Sequence, residues 1–199
     1  MSQDLVLHRD GLIATITLNR PHKSNTLNTA MLAELEELAH GFADDEQTRV
    51  VIIRAEGDNF SFGADLDEMK ARTERPSILA LRRKAELGGR MMRSLQEIHQ
   101  PTICAIQGIS TGGATCIASA CDFRIASDTA RMGYGEVKLG INLMWHAVPP
   151  CVHLVGPSRA KQVIMSGKLV AASTLVQWGF VDELCPRDQL DARARAWAE

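Results

Sequence analysis

Two stretches of this chain place small residues just ahead of a helix-forming run. Ser61-Phe62-Gly63-Ala64-Asp65 leads into Leu66-Asp67-Glu68-Met69, and Thr111-Gly112-Gly113-Ala114 leads into Thr115-Cys116-Ile117-Ala118. Small residues let a ligand atom come close to main-chain N–H groups. A helix start behind them aims unpaired donors and the positive end of a dipole at any negative charge. Two such loops converging would form an oxyanion hole. Neither has the lysine of a phosphate-binding loop or the glycine spacing of a dinucleotide turn. Taken alone, a Gly-Gly pair before a helix is more often a packing accommodation. Reactive side chains near these loops are few: Cys116, then Glu136, then His146. A buried cysteine is usually inert, a lone glutamate is usually a surface residue, and a lone histidine among apolar neighbours is usually structural.

The elements that must position these residues read as alternating strands and helices. Leu5 to Leu18 alternates around Asp10-Gly11, a hairpin signal. Asn28 or Thr29 can cap a helix in which Met31, Leu32, Leu35, Leu38, Ala39 and Phe42 recur at helical spacing. Val50 to Arg54 and Pro101 to Ile106 are short apolar runs typical of buried strands, the second leading directly into the Gly112-Gly113 turn. Residues 71–99 begin polar and become helical through Leu87, Met91, Met92, Leu95 and Ile98. After the Gly113 helix, Phe123 to Ala126 and Gly135 to Leu139 are expected as strands. Arg159 to Met165 and Ala172 to Trp178 are expected as helices, and Phe180 to Leu184 as a last strand. The run from Leu190 to Glu199 reads as a helix without a cap or an evident partner, which suggests that the fold continues elsewhere. The pattern is α/β in class.

Length and composition fit one well-cored domain of 199 residues, with 45% hydrophobic and 23% charged residues. A net charge of -2 with scattered basic residues gives no footprint for nucleic acid or an anionic membrane. No apolar run approaches a membrane span, and MSQDLVLHRD does not read as a signal peptide. Five cysteines, odd in number and without CxxC spacing, read as reduced buried thiols rather than as a metal site or disulfides. A cytoplasmic protein is expected.

Four segments carry a family resemblance. FSFGADLDEM is similar to the FxxGADxxEM signature of the enoyl-CoA hydratase/isomerase, or crotonase, superfamily. AIQGISTGGATCIASACDFRIAS resembles that family's strand, glycine-rich turn and helix ending in Cys-Asp. GYGEVKLGI resembles its Pro-Glu-xxx-Gly motif, and NRPHKSNTLN its NRPxxxNALN segment. The order and spacing match along almost the whole chain. The resemblance implies a spiral of ββα units in a single domain over residues 1–199, lacking part of the family's C-terminal helical region. It also implies an acyl-CoA thioester as substrate, no further cofactor and no metal, and trimers or hexamers of the chain.

The same resemblance assigns residues. The backbone N–H groups of Ala64 and Gly113 would hold the thioester oxygen, with the bare Gly113 leaving room for the thioester. Lys23, Gly63, Asp65, Leu66, Gly112 and Trp145 would line the CoA or acyl pocket. Hydratases of the family use two glutamates; one matches Glu136, while the other position holds Cys116. Relative to that pattern Cys116 is a vacancy, most simply an apolar packing residue, and Glu136 is the remaining base. One carboxylate suffices for the family's enoyl-CoA isomerases, so a double-bond shift is favoured. The alternatives are a hydratase or hydrolase that recruits Cys116, His146 or a residue outside these motifs, and an acyl-CoA binder without catalysis. Where many members read Pro-Gly-Ala-Gly-Gly, this chain has Asn142-Leu143-Met144-Trp145-His146-Ala147-Val148, and the bulk of Met144 and Trp145 should narrow the acyl pocket.

Overall fold

The computed structural model describes residues 3–70 and 77–199. Strands β1 (Leu5–Asp10) and β2 (Ile13–Leu18) form the expected hairpin, paired from Asp10↔Ile13 to Leu5↔Leu18. From β2 the sheet continues in parallel through β3 (Val50–Ala55), β4 (Thr102–Ile106), β6 (Phe123–Ser127) and β9 (Glu183–Cys185). The inner strands read as unbroken apolar runs because both faces are covered, as parallel strands require. One face packs against α1 (Thr29–Gly41), α3 (Ile78–Gln96) and α4 (Gly113–Ala120). Asn28 caps α1, its side chain accepting from Met31 N–H. On the other face Leu190 and Ala194 of α7 (Leu190–Ala198) pack onto Ile13, Ile52, Ile103 and Ile125. The helix therefore has a partner: its apolar stripe covers the outer face of the sheet over β3, β4 and β6 and leaves an open groove beside it over β1 and β2.

A second, smaller sheet joins β5 (Ile109–Thr111), β7 (Arg131–Gly133) and β8 (Val170–Ala171). Each turn of the chain leaves one strand in the large sheet, a shorter stretch in the small one, and then a helix. β4, β5 and α4 make one such unit; β6, β7 and α5 (Val148–Ser166) make the next. The preceding unit is β3, then Ser61 bridged to Ser110, then α2 (Leu66–Lys70). The fold is thus the α/β spiral of ββα units.

Three elements differ from the sequence expectation. The last strand, expected over Phe180 to Leu184, is only Glu183–Cys185. Gly135 to Leu139 is not a strand: Glu136–Leu139 forms a 3-10 turn closed by Gly140 in a left-handed conformation. Val137 and Leu139 are exposed there, so no buried alternation holds an extended chain. The expected helix at 159–165 is the second half of α5, which begins at Val148 with prolines in its first turn and breaks at Gly156-Pro157. Helix α6 (Ala172–Trp178) is as expected.

Arg124 locks the helix α4 to the sheet. Its guanidinium is buried and donates to the carbonyls of Cys121 (2.6 Å), Asp122 (2.9 Å) and Phe180 (2.6 Å), and to Asp182 Oδ2 (3.1 Å). Removing the donors would strand several buried carbonyls, each costing about 1–3 kcal/mol. Arg124→Met, similar in length but without donors, should therefore lower stability by about 3 kcal/mol or more. A urea midpoint within experimental error of the parent's would show that these bonds contribute nothing net.

Candidate active site

Successive turns of the spiral stack their small-sheet ends, and the site lies along that edge. Thr111 N–H donates to Ser61 O (3.1 Å), and Gly112 N–H to Gly133 O (3.0 Å). These bonds bring loops 61–65, 110–113 and 133–136 side by side. Loop 61–65 is held from below as well. Leu27 N–H donates to Gly63 O (2.8 Å), Asp65 N–H to Leu27 O (3.0 Å), and Ser61 Oγ to Asn25 O (2.7 Å). Asn25, left-handed at φ 48–52° with Ser24, is fully buried and donates to the carbonyls of Glu56 and Asn59. The NRPHKSNTLN segment is thus a clamp on the first loop.

Gly63 sits at φ +81°, and a β-carbon there would stand 2.5 Å from Thr111 O and 3.1 Å from Gly113 N. Only glycine permits both that backbone and that approach. The two loops are therefore in contact through Gly63. The bonds that knit and anchor them use the N–H groups of Ser61, Phe62, Gly63, Asp65, Thr111 and Gly112; those of Ala64 and Gly113 are not among them. Gly113 is also the first residue of α4, where an N–H has no partner within the helix. Two donors on adjoining loops, neither bonded among the described residues, fit a site for negative charge on oxygen.

Glu136 stands beside them. Its Oε1 lies 3.1 Å from where a β-carbon on Gly112 would be, so the carboxylate rests against that backbone. Oε2 is buried and accepts no hydrogen bond from the described residues. Burial pushes the Glu136 pKa above the ordinary glutamate range, partly offset by the N–H groups of Glu136 and Gly135. Cys116 lies behind it, fully buried, its thiol pushed well up by burial and then by the charges of Glu136 and Cys151. A thiol held neutral supplies neither a thiolate nucleophile nor a second base. All five cysteines are buried and free.

The other expected residues divide. Lys23 is exposed, with Nζ 3.2 Å from Asp67 Oδ2 at the mouth of the first loop. Leu66 is exposed at the start of α2. Asp65 faces inward: Oδ1 accepts from Asp67 and Glu68 N–H, and Oδ2 accepts from Arg20 at 2.6 Å. Arg20 and those N–H groups hold its pKa below the usual carboxylate range. It caps α2 and anchors the clamp. His146 is exposed, with Cδ2 2.8 Å from the position of a β-carbon on Gly89. Its ring packs on α3. The space over Gly113 is not open either: a β-carbon there would stand 2.6 Å from Trp145 Cη2, so the indole rests on that residue.

One residue went unnoticed in the sequence. Tyr134, the only tyrosine, is buried with its hydroxyl among Cys116, Cys151 and Ser119, where it makes no well-formed hydrogen bond to the described residues. Its position two residues before Glu136 was the available signal.

The family model for Enoyl-CoA hydratase/isomerase matches residues 8–199 of the chain. The chain belongs to this family. Among its relatives is a short-chain-enoyl-CoA hydratase from Clostridium acetobutylicum, 32% identical over 188 residues, covering 94% of this chain and 70% of that protein. A trans-2-decenoyl-[acyl-carrier-protein] isomerase from Streptococcus mutans is 30% identical over 189 residues, covering 95% and 72%. Among solved structures, a putative enoyl-CoA hydratase from Thermobifida fusca in complex with CoA superposes with a TM-score of 0.90 at 31% identity, covering 98% of this chain and 77% of that one.

As a member of the enoyl-CoA hydratase/isomerase family the chain is an acyl-CoA-processing enzyme, and its one desolvated carboxylate at the loop junction has a consequence for stability. The Glu136 pKa is raised in the folded state, so the folded form holds the proton more tightly than the unfolded chain. Stability from this group is full below the ordinary glutamate range and is lost as pH rises through the folded value. Glu136→Gln should therefore be more stable than the parent near neutrality, with the advantage vanishing in acid. Paired denaturation curves at the two conditions check this, and an equal advantage at both would contradict it.

Proposed function

We propose that this family member shifts the double bond of an enoyl-CoA between the 3 and 2 positions, using Glu136 as its single acid/base. Glu136 takes a proton from the carbon next to the thioester carbonyl, and the electron pair moves onto the oxygen. The N–H groups of Ala64 and Gly113 stabilise that dienolate. Protonated Glu136 then returns the proton two carbons further along, re-forming the carbonyl and leaving the double bond conjugated. No atom is gained or lost, and no second acid is needed.

The observation that carries this reading is the Glu136 carboxylate against Gly112, with one oxygen buried and unpartnered and a neutral Cys116 thiol behind it. A raised pKa suits a base that must also give the proton back. The hydratase reading draws on the names of most relatives, which say hydratase, as for the Clostridium protein. Hydration needs one group to activate water and another to deliver a proton, and here Glu136 would serve both. Turnover of a 3-enoyl-CoA, a 2-enoyl-CoA and a malonyl-type thioester separates the readings. Isomerisation of the first should dominate; faster hydration of the second overturns the proposal, and turnover of none leaves a binder.

A further inference from the structure

We infer that Trp145 is the specificity-determining wall of this site, closing the acyl end a few carbons beyond the thioester and selecting short-chain acyl groups. The inference rests on the acyl-CoA reading above and adds the substrate class. Trp145 and His146 are consecutive non-glycine residues in the left-handed region, at φ +60° and +56°. Bulky side chains rarely adopt it, and the surroundings must hold them there. Those surroundings are two glycines inside α3. A β-carbon on Gly88 would overlap the pyrrole edge of the Trp145 indole, and one on Gly89 would crowd the His146 ring. The opposite, benzo edge rests on Gly113. The indole therefore spans from α3 to the residue that offers its N–H to the thioester oxygen. Acyl carbons of a thioester bound there extend beside Gly113, where this ring stands.

The same indole lines a groove of about 450 Å³ with Ala85, Leu143, Met144 and Val148. Those walls are apolar, as an alkyl chain requires, and Arg82, Glu86 and His146 also line the groove. Trp145 thus partitions the groove from the donor loops, and removing it joins the two.

Calorimetric binding of saturated thioesters, butyryl- to decanoyl-CoA, tests this without turnover. In the parent, affinity should stop rising after the first few carbons. In Trp145→Ala it should go on rising, toward the roughly fourfold per added methylene that full burial gives. Trp145→Leu, which fills part of the seat, provides an intermediate case if the alanine variant folds poorly. A parent whose affinity climbs steadily to decanoyl-CoA overturns the inference, as does an unchanged profile in both folded variants. Failure of the parent to bind any of the thioesters removes the acyl-CoA reading itself, and the wall with it.

Discussion

Glu136→Gln should lower turnover of a 3-enoyl-CoA by roughly 10²–10⁴-fold, the range expected when a positioned acid/base is lost. Glutamine keeps the shape of the side chain against Gly112 and removes only the exchangeable proton site. Binding of a non-reacting thioester should change little, since the donors on Ala64 and Gly113 are backbone groups. Cys116→Ala should stay within about tenfold of the parent, a barrier change near 1.4 kcal/mol. The thiol is fully buried and keeps its proton near neutrality, so it offers no thiolate to act as nucleophile or base. Steady-state rates for the two variants decide between them. A dead Cys116→Ala enzyme beside an active Glu136→Gln enzyme would reverse the assignments and make thiol chemistry the working hypothesis.

Gly63→Ala should harm both fold and catalysis. At φ +81° an alanine costs about 1–2 kcal/mol in backbone strain alone. Its methyl group would also stand 2.5 Å from Thr111 O, a backbone atom tied into the small sheet that cannot swing aside as a side chain would. Forcing the loops apart adds about 1–3 kcal/mol. The same displacement moves the Ala64 N–H off the position it shares with Gly113. Losing one oxyanion donor typically costs 10²–10³-fold in turnover. The expected variant is therefore about 2–5 kcal/mol less stable and at least about 100-fold slower. A folded Gly63→Ala enzyme with normal turnover would place the oxyanion site elsewhere.

What the sequence disclosed depended on how far each feature reached along the chain. The hairpin, α1 and the buried parallel strands announce themselves through periodicity and apolar runs that span the whole element. The two donor loops were legible because small residues before a helix have a physical meaning independent of what surrounds them. The small sheet was not legible. Its strands are two or three residues long, too short for any alternation, and their pairing is set by contacts between successive turns. Charged residues disclosed little of their contacts. Asp65, expected from a signature motif to line the pocket, gave no sign that it caps a helix and pairs with Arg20. Arg124, in a strand, gave no sign that its guanidinium is a buried brace. Nothing in the local pattern of α3 marks the Gly88-Gly89 pair as a seat for Trp145, 57 positions further along, which rests in the space Gly88 leaves.

Following 3-hexenoyl-CoA with the parent enzyme by NMR tests the central claim, a single carboxylate moving one proton along a dienolate, most directly. The expected product is 2-hexenoyl-CoA, formed without accumulation of 3-hydroxyhexanoyl-CoA and lost in Glu136→Gln. Conversion to 3-hydroxyhexanoyl-CoA as the main product, or undiminished isomerisation in Glu136→Gln, would contradict it.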